Sequence, residues 1–143
     1  IERVTPHDLR PGIGRLLREL RDAGIRIGLA SASRNAPVIL RRLGIEDAFD
    51  AVVDPASLRK GKPDPEIFLE AAAMLKVKPG NCVGIEDAAA GVDAIRAAGM
   101  FAVGVGDRER LGRAHQVVAD TAALTLMQLR EWFGRSCGQG ATS

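Results

Sequence analysis

Short apolar runs alternate with segments of helical periodicity along most of the chain, and that alternation leaves few folds open. The runs cover residues 25–30, 49–53, 82–85, Phe101–Val105 and 116–119. Runs such as CVGI and FAVGV lack the polar–apolar alternation of a strand with one wet face, as parallel strands covered on both faces do. Between the runs, Ile13, Leu16, Leu17 and Leu20 fall on one helix face, and so do Ile67, Phe68, Ala71, Met74 and Leu75. Pro11 and Gly24 bracket the first helix, while Asp64 and Pro65 suit the N-cap and first position of the helix that follows them. Further helices are predicted over residues 36–43, 88–98 and 124–133, the first two closed by Gly44 and Gly99. Repeated strand–helix–strand units imply right-handed crossovers. The expected fold is therefore α/β, a doubly wound, Rossmann-like parallel sheet with helices on both faces. Residues 1–133 read as one domain, and residues 134–143, rich in glycine and serine, as a disordered tail.

Composition narrows the function. The net charge of +2 is scattered over 143 residues without an aromatic-basic stripe, which argues against a nucleic-acid partner. No run approaches the roughly 18 apolar residues of a membrane span, and no signal-peptide pattern opens the sequence. Cys82 and Cys137 make neither a disulfide framework nor a metal cluster. Cys82 reads as an inert thiol within a strand, and a reducing, cytoplasmic setting is the expectation.

Ligands of doubly wound sheets bind outside the carboxyl ends of the strands. Three polar groups fall there: Ser31-Ala32-Ser33-Arg34-Asn35 after the first run, Lys62 after the second, and Glu86-Asp87 after the third. Hydroxyl and amide donors hold phosphate oxygens, a lysine offsets transition-state charge, and paired carboxylates hold Mg²⁺. These are the parts of a phosphoryl-transfer site. Each group also has an ordinary structural use. Ser31, Asn35 and Asp87 could each be a helix N-cap, and a loop lysine is usually solvated. Rival phosphate motifs fail on inspection. A Walker loop ending at Gly61-Lys62 would need glycine at Ala56 and serine or threonine at Pro63, and the GVG at Gly104 meets Glu109 where its third glycine should stand. His7 and His115 have no nucleophile partner placed by the pattern, and are read as packing or surface residues.

The strings LASASRN, DPASLRKGKPDPEIF and GIEDAAAGVDAIRAAGM, in that order, resemble the later motifs of the haloacid dehalogenase superfamily. Within it they are most similar to the branch of β-phosphoglucomutases and sugar-phosphate phosphatases. The likeness runs from about Leu9 to Phe133. It implies that Ser31 holds the transferring phosphoryl group with the Ala32 amide, and that Ser33, Arg34 and Asn35 contact phosphate or sugar. Lys62 would bridge phosphoryl oxygens and the nucleophile's carboxylate, which puts Ser31 and Lys62 in the catalytic set. Glu86 and Asp87 would bind or orient Mg²⁺, with Asp87 the direct ligand. The implied partner is a phosphorylated sugar or another small phosphate ester.

The family also begins with a strand ending in Asp-x-Asp, whose first aspartate is the covalent nucleophile. The sequence contains no Asp-x-Asp, since Asp54 in VVDPA belongs to the second run. The resemblance places that central strand between the runs ending at Ala30 and Ile85, with a helical cap domain inserted after it. Two expectations follow. One is Mg²⁺-dependent phosphoryl transfer on a sugar phosphate once another segment or a second chain supplies the strand. The other is a catalytically inactive domain that only binds phosphorylated ligands or a partner chain.

Overall fold

The computed structural model describes residues 12–30, 38, 41 and 46–141. Helix α1 (Ile13–Asp22) forms where its apolar spacing predicts and buries Leu16 and Leu17. Strand β1 (Gly28–Leu29) pairs in parallel with β2 (Ala51–Val52), with Gly28 opposite Ala51 and Leu29 opposite Val52. Both strands are shorter than the apolar runs that predict them. The Ile27 amide donates to the Asp50 carboxylate at 2.8 Å rather than to a neighbouring strand, so regular pairing starts one residue later. The helix predicted over residues 36–43 lies outside the described residues except for Val38 and Arg41, which are helical.

Helix α2 (Glu66–Leu75) starts one residue later than Asp64 capping would place it. Pro65 is the N-cap, and Asp64 instead accepts the Glu66 amide at 3.0 Å. Strands β3 (Val83–Glu86), β4 (Phe101–Val105) and β5 (Gln116–Val118) form a second parallel sheet in the order β3-β4-β5. Helix α3 (Ala89–Ala97) crosses from β3 to β4 and ends at Gly99, whose φ of 79° suits a residue without a Cβ.

β4 is buried along its whole length and divides the core. Ala102 faces one cluster, with Ile67, Phe68, Val92 and Ile95 of α2 and α3. Phe101, Val103 and Val105 face the other, with Leu16 of α1 and Leu129 of the last helix. Helices therefore cover both faces of parallel sheets, the expected α/β arrangement. The last helix, α4, spans Leu126–Ala141. An Arg135–Glu131 ion pair, four residues apart, supports it.

No described strand joins the two sheets. Between them runs a cleft of about 630 Å³, with Ile27 and Leu29 on one wall, Val83 and Ile85 on the other, and Phe133 of α4 alongside. It lies between the strands ending near Ala30 and Ile85.

Candidate phosphate site

The site is assembled at the carboxyl end of β3. The β-sheet pleat and the turn into α3 bring the Glu86 side chain back over the first turn of that helix. Its Oε1 accepts the amides of Asp87 at 3.1 Å and Ala88 at 3.3 Å. A carboxylate at a helix N-terminus is favoured by the unpaired amides and the helix dipole. Glu86 thus satisfies the two amides just before α3, those of Asp87 and of the N-cap residue Ala88. Ala88 is the N-cap residue, and its own side chain makes no cap hydrogen bond. This conformer depends on Gly91, because a Cβ there would stand 2.0 Å from Glu86 Cγ.

The other Glu86 oxygen meets Lys62. Nζ donates to Oε2 at 2.6 Å, with the two side chains only 21% and 12% exposed. The ammonium also sits 5.3 Å from the centre of the Phe68 ring, a cation–π contact that adds to its fixation. Lys62 is therefore a held cation and not a solvated loop lysine. The loop that presents it is braced by its own carboxylates: Glu66 accepts the amides of Arg59 and Lys60, and the Asp64 amide donates to Gly61 O at 2.9 Å. The Lys62–Pro63 peptide bond is cis.

Of the residues predicted for the site, the structure brings Lys62, Glu86 and Asp87 together. Ser31, Ala32, Ser33, Arg34 and Asn35 lie outside the described residues. Sequence reasoning missed three neighbours: Phe68, Glu66 and Arg110. Arg110 donates through Nη2 to the Asp87 carbonyl at 3.1 Å from the turn after β4. The strand-end rule that selected the other groups could have selected it, since it follows the fourth apolar run, Phe101–Val105. Asp54 caps the 3₁₀ turn Pro55–Ser57 by accepting the Ala56 amide. Cys82 also lines the cleft. Its thiol donates to the Lys78 carbonyl at 3.4 Å, and burial pushes its pKa up, which keeps it an inert thiol. His115 has the packing role expected of it, stacked on Phe101 at 4.7 Å with Nδ1 accepting the Ala102 amide at 2.8 Å.

The parallel α/β fold thus places a held lysine and two adjacent carboxylates at the carboxyl ends of its strands. Residues 1–99 match the model of the haloacid dehalogenase-like hydrolases. The chain belongs to that family. It is 61% identical over 131 residues to the β-phosphoglucomutase of Bacillus subtilis, covering 92% of this chain and 58% of that protein. It is 33% identical over 131 residues to hexitol phosphatase B of Escherichia coli, covering 90% of this chain and 58% of that protein. A crystal structure of β-phosphoglucomutase from Clostridium difficile superposes with a TM-score of 0.92 at 46% identity, over 94% of this chain and 60% of that one. The chain thus spans somewhat over half the length of these relatives.

Proposed function

We propose that this chain is part of a Mg²⁺-dependent sugar-phosphate enzyme that transfers a phosphoryl group, as a β-phosphoglucomutase or a phosphatase of the same branch. The Lys62–Glu86 pair beside Asp87 carries the reading, and the 61% identity to a β-phosphoglucomutase supports it. In this reading Ser31 and the Ala32 amide hold the phosphoryl group, and Ser33, Arg34 and Asn35 contact its oxygens or the sugar. Lys62 offsets charge on the phosphoryl oxygens as they develop it, at a site where a fixed cation needs little reorganisation.

Adjacent carboxylates at a strand end fit Mg²⁺, which takes one or two carboxylates together with waters and phosphate oxygens. Among the described residues no group of three or more His, Cys, Asp or Glu side chains could hold a metal by itself, so Glu86 and Asp87 fit as part of a shell. Glu86 already serves Lys62 and two amides, so Asp87 is the direct ligand in this reading and Glu86 orients it. Bound there, the ion supplies Lewis-acid polarisation of a phosphoryl oxygen.

The nucleophile comes from outside these 143 residues in this reading. β1 and β3 each present an edge to the cleft, and one parallel strand between them would lie about 4.8 Å from each neighbour. Such a strand, from another segment or a second chain, would deliver an Asp-x-Asp beside Lys62.

The test is an assay of the 143-residue chain with β-glucose 1-phosphate, a bisphosphate primer and Mg²⁺. We expect turnover only when a polypeptide carrying the Asp-x-Asp strand and cap is added. Turnover well above background without it would overturn the assignment of the nucleophile. Phosphate binding that persists without turnover under either condition would leave the non-catalytic alternative as the better reading.

A further inference from the structure

We infer that Glu66 is a positioning residue that selects Lys62, among the cations of its loop, for the site. The inference deepens the proposed function by naming what holds its lysine, and in that sense rests on it. Arg59, Lys60 and Lys62 stand within one short stretch, and any of them could have pointed at Glu86 by charge alone. Arg59 and Lys60 are exposed to solvent, whereas Lys62 is half-buried against Glu86 and Phe68.

Glu66 makes the difference through the backbone. It is the first residue of α2, and its side chain reaches back over the loop. Oε1 accepts the Arg59 amide at 2.6 Å and the Lys60 amide at 2.7 Å. These are charge-assisted bonds, stronger than neutral ones. The Asp64 carboxylate accepts the amide of Glu66 itself at 3.0 Å, and the Asp64 amide bonds to Gly61 O. The loop is therefore tied at 59–60, at 61 and at 66, and Lys62 is the cation between the ties. A carboxylate placed among two exposed cations could pair with their side chains. It holds their amides instead, which fixes the direction of the chain entering Lys62.

The test reads lysine reactivity directly. The wild-type chain is labelled with an amine-specific reagent such as acetic anhydride, and the rate at each lysine is followed by mass spectrometry. Lys62 should label more slowly than Lys60. In Glu66→Ala its rate should rise roughly tenfold toward that of Lys60, as the loss of two charge-assisted bonds would allow. Rates at Lys76 and Lys78 should stay at wild-type values. Glu66→Gln keeps an acceptor oxygen at the same reach, and should restore much of the Lys62 protection. A wild-type Lys62 rate in Glu66→Ala would overturn the inference. So would a parallel rise at Lys76 and Lys78, which would mean general loosening. If Glu66→Ala does not fold, Glu66→Gln and Glu66→Asp decide. Loss of Lys62 protection in the shorter Glu66→Asp and its retention in Glu66→Gln supports the inference, and equal protection in both overturns it. Labelling needs no turnover, so a failure of the proposed activity leaves this outcome unaffected.

Discussion

Lys62 and Glu86 are 24 positions apart in sequence, yet their charged atoms meet at 2.6 Å across the space between the two sheets. Lys62 comes from the loop after β2 and Glu86 from the end of β3. Their contact ties the two-stranded sheet to the three-stranded one at the carboxyl ends of both.

Removing the cation should weaken anion binding at this point. Lys62→Ala is expected to reduce phosphate affinity by about 1–3 kcal/mol, the scale of a charge-assisted hydrogen bond. Isothermal calorimetry with inorganic phosphate measures it. Equal affinity in wild type and variant would remove Lys62 from the site.

A methyl group at position 91 should act on Glu86 and not on the helix. Gly91→Ala puts a Cβ 2.0 Å from Glu86 Cγ and 2.2 Å from its carboxylate. The side chain must leave, and the Lys62 pair and both amide bonds go with it. We expect a clear fall in Tm. In the Glu86→Ala background the obstacle is gone, and the same change should be neutral or stabilising by up to about 1 kcal/mol, since alanine is the better helix former. A thermal-melt double-mutant cycle with no coupling would refute the contact.

Stability should fall on acidification because of His115. Its pKa lies below the ordinary value of 6.5, first because burial disfavours the charged ring and second because of the Arg96 charge. The native state therefore binds fewer protons than the unfolded chain near that pH. The stabilisation is full above about pH 6.5 and is lost as pH falls through the lower native value. The geometry agrees, since a protonated Nδ1 cannot accept the Ala102 amide. Urea unfolding at pH 5.5 and 7.5 should show a pH-dependent loss that shrinks in His115→Asn. An identical pH dependence in both proteins would exclude this residue.

Metal binding by these residues alone should be weak. Two adjacent carboxylates, one of them already paired with a lysine, fall short of an octahedral shell. Titration should find Mg²⁺ affinity no tighter than about millimolar. A micromolar site lost in Asp87→Ala would reveal further ligands.

What the sequence determined by itself is what depends on near neighbours. The unbroken apolar run at Phe101–Val105 became β4 residue for residue, because a strand buried on both faces advertises itself locally. Glycine and proline punctuation placed the ends of α1, α2 and α3 to within a few residues, and the strand-end rule picked out Lys62 and Glu86, which meet in space. Other features depended on closure of the chain. β1 shrank to two residues because Asp50, from beyond its own run, took the Ile27 amide. Glu86 turned back over the start of α3 and took the amides of Asp87 and Ala88, because Gly91 left room for its side chain. Lys62 became a fixed cation only when Glu66 held its loop and Phe68 and Glu86 came within reach. Periodicity and turn chemistry act over a few residues and can be read along a line. An ion pair, a clamp across a loop and a contact with a missing Cβ are set by distances in space, and those exist only after the helices have packed.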